Sequence, residues 1–338
     1  MLTGFVTPVV LAGVLLAFAR LNDGAWEPGA QVAGICRELL AGTTQGRQAL
    51  FGSCWTAPLP VLVYLPFAWL LSEPLAGWVA FFVAWLFAFW AVREAVKATG
   101  QSGWRIVLAQ AAIAAMMIVA RQPQALQFTT PLTMGLVLLT AASLADWAAF
   151  RRLRDVVAAG TAGAFLVLCG FPFFAPACVA VALIPLAACG DDESRRRVQA
   201  WFLLGCLPLL YMSGVWLLLN RLILGDALFF LRSLHVLVPN PARFSLAMLL
   251  PGAMMLPALF LTWLCDAQRT ETGAGPHAAS VILISFALML VCTTEVLGRF
   301  GLGWDAPTLH VCFLSILMIV LARLRQPVYR LAGTLALF

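Results

Sequence analysis

Charge is scarce in this chain. Asp, Glu, Lys and Arg make up 11% of its 338 residues, less than half of the roughly 25% usual in a soluble domain. A chain so poor in charge cannot clothe a hydrophobic core in a solvated surface, which excludes an ordinary water-soluble globular protein. Lysine is almost missing: Lys97 is its one representative, so arginine carries nearly all of the formal net charge of +6. The arginines fall in short loops between apolar segments, the pattern that orients membrane helices, and not along one basic face; nucleic acid is therefore not an expected partner. There is no Gly-rich phosphate loop, no H-E-x-x-H, no G-x-S-x-G and no zinc-ligand spacing. His235, His277 and His310 stand far apart in sequence, so no metal site is expected from them, and the cofactor stays undetermined, with no divalent metal indicated. The nine cysteines contain no C-x-x-C pair. Cys169, Cys178, Cys189, Cys206, Cys265, Cys292 and Cys312 lie in or beside apolar segments and read as small buried hydrophobes. Cys36 and Cys54 share a polar loop, where either a disulfide in an oxidising compartment or two free thiols satisfies the sequence.

What is abundant is apolar sequence, at 62% of residues. The fold class expected is an all-α polytopic membrane protein, a single transmembrane domain over 1–338 in contact with the lipid bilayer. Ten apolar stretches are candidate spans: Phe5–Leu21, Leu75–Val92, Ile106–Ala120, Pro131–Phe150, Val156–Gly170, Phe173–Cys189, Ala200–Leu219, Phe244–Cys265, Ser280–Leu297 and Thr308–Ala322. The first has neither a basic n-region nor a small-residue cleavage site and is expected to stay as a helix. The stretch Pro58–Leu71 is apolar but short, with Pro58, Pro60 and Pro66. If it crosses, the loops carrying Arg93 and Lys97, Arg151 to Arg154, and Arg195 to Arg197 all face outward. If it stays at the outer interface as a broken or re-entrant segment, they all face inward with Arg323, Arg325 and Arg330, which the positive-inside rule favours. The expectation is about ten transmembrane helices, multi-pass in a bacterial inner (plasma) membrane with both termini cytoplasmic. The run Val156–Gly190, with apolar arms between basic ends, then folds as an inner hairpin (156–190) bent near Gly170-Phe171-Pro172.

The outer side then holds a loop over 22–72, the segment Arg121–Thr130, a loop over 220–243 and the turn Arg299–Pro307. Within the first loop Glu27-Pro28 suits a helix start. Val32, Ile35, Leu39 and Leu40 recur at helical spacing, and Gly42 ends the run. The spacing predicts an amphipathic helix over 28–41, lying on the membrane surface. The order of a first helix, an acidic residue, an amphipathic helix ending Arg37-Glu-Leu-Leu-Ala-Gly42, and Pro58-Leu-Pro60 before an apolar stretch resembles the N-terminal part of the GT-C superfamily of integral membrane glycosyltransferases, which includes aminoarabinose transferases and protein O-mannosyltransferases. Asn220-Arg-Leu-Ile-Leu-Gly-Asp226 and the small-residue run Ala158-Ala-Gly-Thr-Ala-Gly163 resemble further family segments. The resemblance implies a GT-C-like fold and transfer of a sugar from a polyprenyl-phosphate donor to an acceptor at the outer face. It implies Glu27 or Asp23 as the catalytic carboxylate, acting as base or metal holder, and Arg37, Arg47 and Arg121 as phosphate partners. Arg232 and His235 are further candidates for the substrate headgroup.

Where the family usually has a second acidic residue, this chain has Thr129-Thr130-Pro131. An alternative therefore stands beside the enzyme: a GT-C-like structural or scaffolding subunit without catalysis, bound to a membrane protein partner. A third is a small-molecule or lipid transporter. Each candidate also has a plainer role open to it. Glu27 can simply start a helix, Arg37 can solvate one, Asp226 can cap Leu228–Leu234, and Arg232 and His235 can sit among headgroups. Asp146 beside Arg151 and Glu295 beside Arg299 read as ion pairs at helix ends.

Overall fold

The computed structural model describes residues 3–22, 30–51, 58–98, 104–120, 129–170, 173–188 and 195–230. The expected spans Phe244–Cys265, Ser280–Leu297 and Thr308–Ala322, with the Arg299–Pro307 turn, lie outside them. The described residues fold into α1 (Thr3–Asn22), α2 (Ala30–Leu40), α3 (Thr44–Phe51), α4 (Pro58–Leu70), α5 (Glu73–Ala98), α6 (Trp104–Ala120), α7 (Thr129–Phe150), α8 (Leu153–Val167), α9 (Phe174–Ala188) and α10 (Arg195–Leu224), with no strand among them. Among the described residues two helices are long and apolar enough to cross a membrane, Glu73–Lys97 within α5 and α10 itself. Their surroundings differ. The apolar window of α5 is 56% buried inside the molecule and that of α10 only 11%.

The core forms around α5. Small and large residues alternate along its buried faces: Ala80, Phe81, Ala84, Trp85, Ala88 and Phe89 are all nearly inaccessible. The aromatic rings stack along the helix, Trp85 to Phe89 at 5.3 Å between centroids and Phe81 to Trp85 at 6.2 Å. The alanines between them let α1, α6 and α7 approach. Gly135 of α7 lies so close to the Phe87 ring that an added Cβ would stand 2.5 Å from Cε1. Gln110 of α6 is buried with its Nε2 donating to the Phe89 carbonyl at 2.8 Å, which removes the cost of an unsatisfied amide in an apolar interior. The small-residue run of α8 has a comparable use. Ala159, Gly160, Ala162 and Gly163 are buried, and Gly160 meets the backbone of Gly205 on α10 with no room for a Cβ. Small residues at a crossing let two backbones pack directly, the means by which helices associate without a hydrophobic driving force.

Chain order sorts the helix termini into two ends. α7 and α8 reverse direction across the turn at Arg151–Arg152 and pack on each other, so α8 finishes at the end away from that turn. Two contacts fix the ends of α4. Leu59 N donates to the Leu168 carbonyl just past α8 at 3.0 Å, and the C-terminus of α4 turns through Leu71 and Ser72 directly into α5. α4 therefore runs from the finish of α8 to the start of α5. Its 13 residues make a rod of about 20 Å, short of the roughly 30 Å hydrocarbon core of a bilayer. α2 packs on α4, and α3 packs on α2 and α10. We call this the capped end. Arg20 near the finish of α1 lies over the Trp78 ring at 5.2 Å, so α1 finishes here too. At the opposite end, where α7 gives way to α8 and α10 begins, Trp147 and Trp201 meet edge to face at 5.6 Å.

Several boundaries move from those the apolar pattern suggests. α5 starts at Glu73, because Ser72-Glu73-Pro74 is itself a helix start: Ala76 N bonds the Ser72 carbonyl at 2.9 Å, with an acid and a proline in the first turn. α10 starts at Arg195, so its three arginines are helical and not in a loop. The helix α3 has no counterpart among the sequence expectations, since its eight residues TQGRQALF are mostly polar. α8 and α9 are separated at Leu168–Gly170 and pack on each other.

Candidate functional site

The capped end carries the described candidates, and α2 sets its geometry. α2 buries Val32, Ala33 and Cys36 and exposes Arg37, Glu38 and Leu40. Its apolar face is covered by α4: the Cys36 thiol donates to the Val61 carbonyl at 3.6 Å. Burial pushes that thiol up to about 12, because an anion there would lose its hydration. Cys36 is free; Cys54, its alternative partner, lies outside the described residues.

The finish of α2 is locked by a two-bond closure. Thr43 N donates to the Glu38 carbonyl at 3.1 Å and Gly42 N to the Leu39 carbonyl at 2.9 Å, with Gly42 at φ +71. This is the glycine-terminated helix end in which a left-handed residue satisfies the last carbonyls. Thr43 then starts the next helix, its Oγ1 accepting from Gly46 N at 3.1 Å as an N-cap does. The same hydroxyl donates toward Glu38 Oε2 at 2.7 Å. One threonine thus ties α2 to α3. Gly46 closes the corner, since a Cβ there would stand 2.6 Å from the backbone of Glu38 and Leu39.

Arg37 and Arg47 emerge from this corner, one on each helix, and both are exposed. Arg37 pairs with Glu73 at the start of α5. The pair is solvent-facing, with side chains 68% and 41% exposed, so its contribution to stability is about 0–1 kcal/mol. It orients the guanidinium along the surface between α2 and α5. Tyr64 of α4, itself buried, reaches the Glu73 carbonyl with its hydroxyl at 3.4 Å. Glu73 is a site residue that a search for acids near Glu27 does not reach; its signal is Ser72-Glu73-Pro74, read as the start of a helix.

Glu27, Asp23, Arg121, Arg232 and His235 lie outside the described residues. In sequence, Asp23 follows the last residue of α1, Glu27 precedes α2 by three positions, and Arg121 follows the last residue of α6. Arg232 and His235 follow Phe230, shortly after α10. Their place in the fold lies outside the described residues. The finish of α10 is well defined: Asn220 is buried and donates to the Trp216 carbonyl at 3.1 Å, Arg221 donates to the Gly225 carbonyl, and Gly225 takes φ +79. Asp226 Oδ1 accepts from Leu228 N at 3.0 Å, capping the following turn.

Chemically, the described part of this end offers guanidinium groups for an anion and the Glu73 and Glu38 carboxylates. Among the described residues no group of three or more His, Cys, Asp or Glu side chains could hold a metal ion. The fully buried polar side chains are Gln110, Thr130, Thr133, Thr140 and Asn220, all uncharged. Thr133 and Thr140 return their hydroxyls to carbonyls one turn back, at 2.7 and 2.8 Å. No protein-family model, characterised protein or solved structure matches the chain.

Proposed function

We propose that this chain is a multi-pass protein of a bacterial inner membrane, with about ten spans, that transfers a sugar from a polyprenyl-phosphate donor to an acceptor at the outer face. In this reading the capped end is the outer face and the helix over 58–70 does not cross. Glu27 or Asp23 takes the acceptor proton, and Arg37, Arg47 and Arg121 meet the donor phosphate, whose charge a guanidinium fork matches well. Arg232 and His235 complete the headgroup contacts, and both termini are cytoplasmic. The single observation that supports the reading is that α2 and α3 bring Arg37 and Arg47 out together, both exposed, at the capped end. That end is also where the amphipathic helix α2 and the Pro-Leu-Pro helix α4 pack together.

A second reading keeps the architecture without the reaction: a structural subunit bound to another membrane protein. Two observations favour it. Arg37 is already engaged by Glu73, and α7 opens on Thr129-Thr130-Pro131, with no acid in its first turn. A transporter has less support, since no charged side chain is fully buried among the described residues.

The test compares a deletion strain with strains carrying Glu27→Gln or Asp23→Asn, reading polyprenyl-linked sugars and surface glycans by mass spectrometry. Transfer predicts that at least one carboxamide variant reproduces the deletion profile, with a rate loss of about 100-fold or more, the usual size for a missing general base. If both variants retain the unmodified profile while the deletion alters it, the transfer mechanism with these bases is wrong. Recovery of a membrane partner at fixed stoichiometry would then identify the scaffold.

A further inference from the structure

The end opposite the cap has its own organisation, which the transfer reaction does not use. α7 finishes, α8 begins and α10 begins within reach of one another. Trp147 and Trp201 are nearly inaccessible and meet edge to face. The Arg151 guanidinium lies 4.7 Å from the Trp147 ring and 5.9 Å from that of Trp201. Arg151 adopts φ +53, a conformation that costs a long side chain energy and is kept where surroundings hold it. Arg152 lies over the Phe150 ring at 4.6 Å. Arg195, Arg196 and Arg197 form the exposed first turn of α10, and Arg197 is one turn before Trp201 on the same face. Two helix N-termini, those of α8 and α10, point their positive ends here.

We propose that this arginine end is a headgroup site for an anionic phospholipid, its phosphate gripped between Arg151 and Arg152 on one side and the first turn of α10 on the other. The inference rests on the membrane reading above but not on sugar transfer. Charge complementarity carries it. Guanidinium groups take phosphate oxygens two at a time, and basic pockets between helices at the cytoplasmic side are where anionic headgroups bind. Trp147 and Trp201 give a rigid, amphipathic floor suited to the headgroup level. Asp155 faces the same region, its Oδ1 3.4 Å from Arg154 Nε. It offsets part of the charge of this end, where Arg152, Arg154 and the α10 arginines are exposed. Asp191, Asp192 and Glu193 precede α10 in sequence and lie outside the described residues.

The experiment uses the full chain purified in neutral detergent, exposed to phosphatidylglycerol or to phosphatidylcholine. Retained lipid is read by native mass spectrometry and thermal unfolding by intrinsic fluorescence. Phosphatidylglycerol should be retained and raise the unfolding midpoint, and phosphatidylcholine should do neither. Arg195→Gln/Arg196→Gln/Arg197→Gln should weaken phosphatidylglycerol binding about 100-fold, from the usual contribution of each basic side chain near an anionic lipid. Arg151→Gly removes a stacked guanidinium while relaxing the left-handed backbone, so it should stay folded and bind more weakly. Equal retention of both lipids by the unaltered chain, or unchanged binding in the triple arginine variant, overturns the proposal. Failure of the membrane reading itself looks different: the chain would stay in solution without detergent and retain neither lipid.

Discussion

The two ends of the bundle handle arginine in opposite ways. At the capped end Arg20, Arg37 and Arg47 are spread over separate helices, and Arg37 is matched with a carboxylate from another element. At the arginine end the cations come in runs, Arg151 and Arg152 lying on indole and phenyl faces and Arg195 to Arg197 along an exposed first turn. The first arrangement leaves dispersed guanidinium groups beside carboxylates, as a reacting site needs. The second concentrates guanidinium groups beside buried tryptophans, with Asp155 as a carboxylate among them. Between them runs an interior whose fully buried polar groups are uncharged. The difference teaches that net charge is a poor guide to function in this chain, whereas the partners of each arginine are a good one.

The largest effect on this comparison should come from the contact that joins α8 to α10. Gly160→Val would force a branched side chain into the Gly205 backbone, at a cost of about 3 kcal/mol or more. The expected outcome is loss of folded protein, or a sharply lowered unfolding midpoint, with the arginine end disordered first. Gly46→Ala comes next. Its Cβ meets the Glu38 and Leu39 backbone, for about 1–3 kcal/mol. That strain is confined to the α2–α3 corner, so proteolysis near residues 40–46 should rise while phosphatidylglycerol binding stays unchanged. Smaller still is Glu73→Gln, which should cost at most about 1 kcal/mol in a melting experiment because its ion pair is exposed. If transfer occurs here, the same variant should change the apparent KM for the donor, since Arg37 loses the carboxylate that orients it. An unchanged KM would reduce the pair to a surface contact.

The smallest expected signal is at Cys36. With its thiol pushed up to about 12, it stays protonated at pH 8 and should resist maleimide. The unfolded thiol, near 9.0, ionises first. Its contribution to stability is therefore complete below pH 9 and is lost as pH rises from about 9 to 12. Rapid labelling of the folded chain at pH 8 would show that α4 does not cover it.

Much of the helical architecture could be read from apolar runs alone, because α1, α5, α6, α7, α8, α9 and α10 each coincide with one of them. Helix termini were less legible. Ser72-Glu73-Pro74 and Arg195 to Arg197 are polar, so hydropathy places them in loops, while capping and tertiary packing make them helical. α3 was invisible to periodicity for the same reason; its signal is Thr43 followed three residues later by Gly46, an N-cap that needs no apolar stripe. Of the candidate site, Arg37 and Arg47 could be placed in the polar stretch between the first two apolar runs. The partner of Arg37 could not, since Glu73 lies 36 residues away and meets it through the packing of α2 on α4. The pairing of Trp147 with Trp201 was likewise hidden, because it depends on which helices adjoin after the hairpin of α8 and α9.

The central claim is that the two ends face opposite sides of a membrane. In a chain whose native cysteines are replaced, Arg47→Cys and Arg196→Cys place one thiol at each end. A membrane-impermeant maleimide added to intact cells should label position 47 at once and position 196 only after the membrane is permeabilised. Labelling of both from the same side, before permeabilisation, would contradict the account.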